Sequence, residues 1–394
     1  MTQAFLLTLN AGSSSIKLGL FDASGGKARA IGRGSLDLHR QPLSLSLQVR
    51  GAAAELPIDA ALTDDLQAVV DAMLAALARH GELGDMVGAG HRVVHGGLRF
   101  HGAVRIDDAA LAAIEELSAL APLHQPQSLR LICALRRMRP DLPQTASFDT
   151  AFHASQDDLV RRFALPRALH DAGIRRYGFH GLSYSFIARE LALRRPALAA
   201  GRVVAAHLGN GASLCALHAG RSVESSMGFS VLDGVPMGTR CGALDAGVVL
   251  HLLQRQANPM TVHEVEDLLY HRAGLLGMSG ISADARVLEA SAEPAARQAL
   301  EIFALRCAGE AARLATTLGG IDALVFTAGI GEHDARLRAA ICAHLGWLGV
   351  RLDAEANARH AECISDSASR VAVFVIATDE EQVIADEGVV VLGL

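Results

Sequence analysis

One pattern that occurs twice restricts the fold more than any other feature of this chain. Residues 5–22 read Phe-Leu-Leu-Thr-Leu-Asn-Ala-Gly-Ser-Ser-Ser-Ile-Lys-Leu-Gly-Leu-Phe-Asp. A short apolar run ends in small polar residues, and apolar alternation resumes at Ile16, Leu18 and Leu20. Residues 203–218 repeat the theme as Val-Val-Ala-Ala-His-Leu, the turn Gly209-Asn210-Gly211, then Ala-Ser-Leu-Cys-Ala-Leu-His. Period-2 alternation on both sides of a glycine turn specifies a β-hairpin. Asn-Gly is itself a strong turn signal. Two such hairpins, each opening one half of the chain, predict two similar domains facing one another. Coincidence between two common hairpins is the competing reading.

The rest of the chain alternates short strand patterns with longer helical ones. Strands are expected near 5–9, 15–21, 86–94, 203–208, 213–218, 323–327 and 371–376. Helices are expected near 107–119, 127–138, 181–195, 261–272 and 295–318. A further helix is signalled by Thr63-Asp64-Asp65 as cap and acidic first turn, a periodic run to His80, and Gly81 as its stop. Mixed βα order of this kind specifies an α/β protein whose sheets are covered by helices.

Composition excludes several function classes. Aromatic residues make up only 4%, too few for stacking platforms along single-stranded nucleic acid. The formal net charge is −6, so no broad basic field holds a polyanion, and nucleic acid is not an expected partner. No apolar run reaches the roughly 20 residues that span a bilayer. Met1-Thr2-Gln3 lacks the positive charge of a signal peptide. The six cysteines form no C-x-x-C pair, which suits free thiols in a reducing cytoplasm. Cys241, beside Arg240, reads either as a small structural residue or as an activated thiol. The 17 histidines include no H-E-x-x-H zinc motif.

Several polar residues sit in contexts that favour chemistry. The first turn carries Asn10, Gly12, three serine hydroxyls and Lys17, an inventory that fits a phosphate, although surface turns share it. Ala328-Gly329-Ile330-Gly331-Glu332 reads as a turn between strand 323–327 and a helix, a common nucleotide-contacting arrangement. Arg92 precedes Val93-Val94 and two glycines, as a carboxylate-holding cation would. His124 lies between Pro122 and Pro126, and Asp149 follows a short strand. His180 is bracketed by Phe179 and Gly181, and Arg240 lies in a glycine-rich loop. Cations together with the oxygen ligands Asn10, Asp149 and Glu380 form the inventory of metal-assisted phosphoryl transfer.

Taken together, these stretches resemble the acetate/propionate kinase family. The matching segments are Leu9–Lys17, His91–Gly97, Pro122–His124, Phe148–His153, Tyr177–Gly181, His207–Ser213, Met237–Arg240, Gly274–Gly277, Phe326–Glu332 and Asp379–Glu381, in family order. The resemblance implies two similar domains of the actin/sugar-kinase/Hsp70 (ribonuclease H-like) type facing a cleft. It divides them as residues 1–150 plus about 382–394, and a nucleotide-binding domain at 151–381. It implies a cytoplasmic homodimer that phosphorylates acetate, or propionate, with ATP to give an acyl phosphate and ADP. Asn10 and Glu380 are then the Mg²⁺ residues, with Mn²⁺ able to substitute. The nucleotide contacts are Lys17, His207, Leu208, Gly209, Asn210, Gly211, Asp284, Ala285, Arg286, Gly329, Ile330, Gly331, Glu332 and His333. Arg92 holds the substrate carboxylate beside an apolar wall of Val94, Leu123 and Phe179. His180 and Arg240 stabilise the transition state, and these two with Arg92 converge on the travelling phosphoryl. Asp149 takes the acid–base role in the family pattern. The acceptor is a carboxylate with a pKa of about 4–5, already ionised at neutral pH and in need of no base, so Asp149 better suits orienting a cation or metal-bound water.

The chain departs from this pattern after Arg240. The family has Ser-Gly-Asp, an apolar residue and Asp-Pro, whereas this chain reads Cys241-Gly242-Ala243-Leu244-Asp245-Ala246. Val231 also stands where a proline is common. These changes are expected to reshape the apolar pocket and to loosen Arg240. A kinase acting on an alcohol and a non-catalytic nucleotide-gated module are the rival functions; Arg92 beside Val94 argues against the first, and the presence of Arg92, His180 and Arg240 against the second.

Overall fold

The computed structural model describes residues 4–12, 15–38, 40–60, 67–80 and 86–394. They divide into two units, Met1–Phe152 with Asp379–Leu394, and His153–Thr378. Every strand and helix expected from the sequence forms, with most ends displaced by one or two residues. The Thr63–Asp65 cap and Gly81 lie outside the described residues; the helix they were expected to frame runs Gln67–Arg79.

The first unit is built on β1 (Phe5–Ala11), β2 (Ser15–Asp22), β3 (Arg29–Asp37), β4 (Ser44–Val49), β5 (Ala52–Pro57), β6 (Met86–Val93), β7 (Val104–Arg105) and β8 (Gln144–Phe148). Their order across the sheet is β5-β4-β3-β2-β1-β6-β8-β7. β1 pairs antiparallel with β2 and parallel with β6. The second unit is built on β9 (Arg202–Leu208), β10 (Ala212–His218), β11 (Arg221–Ser225), β12 (Ala323–Thr327) and β13 (Ala372–Val375). Their order is β11-β10-β9-β12-β13. Each unit therefore contains the same five-strand core: an antiparallel meander whose first strand pairs in parallel with a later strand, which in turn pairs in parallel with a further one. The duplicated hairpin marks the start of each core.

Burial follows the pattern. In the first unit Leu7, Leu9, Leu18 and Leu20 pack with Val69, Val70, Met73 and Leu74 of the helix Gln67–Arg79. Leu6 and Phe21 pack with Ala385 and Val389 of the C-terminal helix Glu380–Leu392. That helix places Glu380 and Glu381 in its first turn, capped by Asp379, whose side chain accepts from the Gln382 N–H. In the second unit the long helix Pro294–Leu318 buries Phe303, Cys307, Ala311 and Leu314.

Buried histidines tie stability to pH: His95, 0% exposed, is pushed down to about 4 by burial, and two others behave alike. His91 (Nε2 to Gln144 Oε1, 2.7 Å) and His153 (Nε2 to the Phe179 carbonyl, 2.9 Å) are each at most 1% exposed. Burial pushes both imidazoles from 6.5 down to about 4. A depressed folded-state pKa means that the unfolded chain binds the proton first. The resulting stability is complete above pH 6.5 and is lost between 6.5 and about 4. Urea unfolding between pH 7 and 5 is expected to show stability falling by up to about 1.4 kcal/mol per pH unit for each histidine. His153→Gln should flatten that slope; an unchanged slope would remove His153 from the account.

Candidate active site

In the first unit, β1, β6, the end of β8 and the C-terminal helix bring one polar cluster together. Arg92 donates from Nε to both Asp149 oxygens at 3.1 Å and from Nη2 to Oδ2 at 2.6 Å. Its Nη1 donates to Asn10 Oδ1 at 3.0 Å. Asn10 Nδ2 in turn donates to Glu380 Oε2 and Glu381 Oε1, each at 3.0 Å. Asp149 is 1% exposed. Burial pushes its carboxyl up and Glu380 adds to this, against the pull of Arg92. Burial and the adjacent Glu380 also push Glu381 up, and Lys17 opposes them. Three carboxylates thus face two cations, an excess of negative charge with oxygen donors that suits a divalent cation. Among the described residues no three His, Cys, Asp or Glu side chains form a metal-ligating group. Val94 is buried in this unit and Leu123 is half-buried. The first turn closes through a Gly12 N–H to Ser15 carbonyl bond of 2.8 Å, while Ser13 and Ser14 lie outside the described residues.

In the second unit a different cluster forms around the β9–β10 turn. His180 is a left-handed residue (φ 56°, ψ 27°) at the N-cap of the helix Gly181–Arg194. Its ring stacks on His207 at 4.2 Å. A Cβ on Gly211 would stand 3.3 Å from His180 Nε2 and 3.5 Å from Arg240 Nη2, so both groups close on the turn's backbone. Glycine is what allows that approach. The neighbouring Gly209 lies beside Ala328 and Gly329, with 3.6 Å from its would-be Cβ to Ala328 Cβ. Asn210 accepts the Gly238 N–H at its carbonyl, 3.3 Å. The structure therefore brings His180, Arg240 and the β9–β10 turn together, whereas Arg92 and Asp149 belong to the cluster of the first unit.

The Gly329–Glu332 segment corrects one expectation. It is not a turn ahead of a helix but a helical turn itself, Ala328–His333, followed by the helix Ala335–His344. Glycine disfavours helix, so the conformation is imposed from outside. Glu332 Oε1 accepts from the Ala328 N–H at 2.8 Å and from the Thr378 N–H at 3.2 Å. Arg338, 1% exposed, donates from Nη1 to the Gly331 and Glu332 carbonyls, each at 2.9 Å. Asp284 caps the helix Ala285–Ala290 and takes the Arg286 guanidinium at 2.6 Å, with that arginine side chain 88% exposed.

Of the departures near Arg240, those at Val231 and Cys241 have a physical reading. Arg240 Nη1 donates to the Val231 carbonyl at 3.1 Å, so this contact is with main chain that any residue at 231 supplies. Asp245 caps the helix Ala246–Gln254. Burial pushes the Cys241 thiol up, opposite to what an activated nucleophile needs. Several participating residues were not legible in the sequence. His153 is the clearest: its ring would meet a Cβ on Gly178 at 2.6 Å, and it holds the Phe179 carbonyl, supporting the His180 loop from below.

The duplicated meander core with a polar cluster in each unit places this chain among the two-domain, actin-like kinases. Its sequence matches the model of the Acetokinase family over residues 5–386. The chain belongs to that family. It is 47% identical to a protein of Nitrobacter hamburgensis named acetate kinase, covering 96% of this chain and 94% of the relative. Solved structures agree: a propionate kinase from Francisella tularensis (TM-score 0.88, 33% identity, 98% of this chain and 99% of that one) and the acetate kinase of Porphyromonas gingivalis (TM-score 0.86, 31% identity, 99% and 100%). No helix among the described residues is long and apolar enough to cross a membrane.

Proposed function

We propose that this chain is a carboxylate phosphotransferase that moves the terminal phosphoryl of ATP to acetate, giving acetyl phosphate and ADP. One observation carries the reading: a near full-length match to a family with a relative named acetate kinase at 47% identity. Both polar clusters support it. Arg92 binds the substrate carboxylate through charge-assisted hydrogen bonds, with Val94 and Leu123 of the same unit as its apolar wall. Asp149 orients Arg92 and does not act as a base, because the acceptor is already an anion. His180 and Arg240 stabilise charge on the transferred phosphoryl. Lys17, the His207–Gly211 turn, Asp284–Arg286 and the Gly329–His333 segment contact the nucleotide.

Glu380 would hold Mg²⁺, with Asn10 orienting it through Nδ2 while the Asn10 oxygen faces Arg92. Magnesium, when bound, neutralises phosphate charge that the two cations of the cluster do not cover. Family membership extends the reading to a homodimer in the cytoplasm.

Propionate is the second acceptor, favoured by Val231 at the pocket position and by the likeness to a solved propionate kinase. One methylene discriminates by only about 1–3 kcal/mol in such a pocket. Incubation with MgATP, hydroxylamine and each acid from formate to butyrate is expected to trap hydroxamates, with acetate fastest. Absence of hydroxamate from every acid would end the kinase reading.

A further inference from the structure

Behind His180, away from the β9–β10 turn, lies a short chain of buried hydroxyls. His180 Nδ1 is 2.8 Å from Ser213 Oγ, and Ser213 Oγ is 2.5 Å from the Tyr184 hydroxyl. Ser213 and Tyr184 are both 0% exposed, so water does not complete their hydrogen bonding. Among the described residues, Ser213 Oγ is the only acceptor within reach of the Tyr184 hydroxyl; the His207 backbone N–H approaches the same phenol oxygen as a donor.

These contacts fix the direction of the protons. The phenol proton must go to Ser213 Oγ, since no other acceptor faces it. The Ser213 proton then has one acceptor left, His180 Nδ1. The opposite order, with the imidazole proton on Nδ1, would leave the serine hydroxyl proton buried without a partner. The same orphan would arise if the ring carried both protons. His207 restrains the ring further: it stacks at 4.2 Å with 21° between planes and is itself held by Ser183 Oγ, 2.8 Å from its Nδ1.

We infer that Ser213 and Tyr184 are positioning residues that hold the His180 imidazole neutral, with its proton on Nε2, the nitrogen turned toward Gly211 and Arg240. Within the proposed phosphoryl transfer, on which the catalytic part of this inference rests, His180 is then a neutral N–H donor and Arg240 alone supplies the positive charge. Neither hydroxyl touches substrate. Burial holds the Tyr184 phenol well above its usual range, so it remains a donor at neutral pH.

The test uses the full chain labelled with ¹⁵N, without nucleotide. Two-bond ¹H–¹⁵N spectra of the His180 ring, assigned by its loss in His180→Ala, are expected to show an unprotonated Nδ1. Ser213→Ala should shift the ring to a mixture of tautomers. Tyr184→Phe, which keeps the buried ring in place, should do so in part. In steady-state assays kcat should fall roughly tenfold for Ser213→Ala and less for Tyr184→Phe, with KM for ATP and for the acid unchanged. On a His180→Ala background neither change should reduce the rate further. A protonated Nδ1 in the parent protein, an unaltered ring spectrum in both variants, or losses that multiply on the His180→Ala background would each overturn the inference. The ring spectra decide it even if no acid proves to be phosphorylated, so the two readings fail separately.

Discussion

Arg92→Ala is expected to lower kcat/KM by about 10³-fold or more and to destabilise the protein by about 3–5 kcal/mol. Both effects follow from one guanidinium. It is the direct hydrogen-bond partner of Asp149, at 2.6 and 3.1 Å, and also holds the Asn10 oxygen. Its removal leaves Asp149, with 1% of its surface exposed, beside Glu380 without that cation. Burial already pushes Asp149 up, and losing Arg92 removes the pull that opposes it, so in the variant this carboxyl should rise further. Arg92→Lys separates the two effects. An ammonium restores charge but not the planar fork that engages both Asp149 oxygens. Stability should recover by more than half while activity stays at least 100-fold down. Urea unfolding and hydroxamate rates on the three proteins measure this. A lysine variant that restores activity within tenfold would show that charge alone suffices, and the orienting role of Asp149 would fall.

How much of this was readable beforehand depended on where each residue's partners lie. The two hairpins and the helix Pro294–Leu318 were legible because local periodicity defines them. β3 was not. Its sequence, Arg-Ala-Ile-Gly-Arg-Gly-Ser-Leu-Asp, carries little apolar alternation, and Gly32 is there because a Cβ would meet the Gln48 carbonyl of β4 at 2.9 Å. That demand is set by a neighbouring strand, not by the segment itself. The C-terminal helix was not legible as a helix, since its packing against Leu6 and Phe21 joins opposite ends of the chain. In the sites, His180 and Arg240 stood out because glycines surround them. Ser213 did not: a serine inside a buried strand reads as a filler, and only the side chains that meet it reveal its direction. The helical turn at Ala328–His333 was hidden for the same reason, as Arg338 and Thr378 hold it from later in the chain.

The loop that carries Arg240 illustrates how remote such support can be, and it gives the second large effect. Met237, Gly238 and Thr239 turn their carbonyls toward the start of the helix Gly274–Ser279. Leu275, Leu276 and Ala273 donate to them at 2.8, 2.9 and 2.9 Å. Gly274 makes the approach possible. Its φ is +61°, and a Cβ there would lie 2.2 Å from the Met237 carbonyl and 2.7 Å from that of Arg240. Those are backbone atoms, so the clash is not relieved by rotating a side chain. Gly274→Ala should therefore push the loop off the helix, costing about 2–4 kcal/mol in stability and at least 100-fold in kcat as Arg240 leaves its place near Gly211. Gly280→Ala is the matched control. Gly280 has nearly the same φ, +67°, yet nothing lies within 4 Å of its would-be Cβ. It should cost only the left-handed strain, about 1–2 kcal/mol, with kcat unchanged. Equal kcat losses in the two variants would mean that backbone strain in this helix, and not contact with the Arg240 loop, governs the rate. A large loss confined to Gly274→Ala would establish that a glycine with no polar atom of its own side chain determines where the transition-state arginine stands.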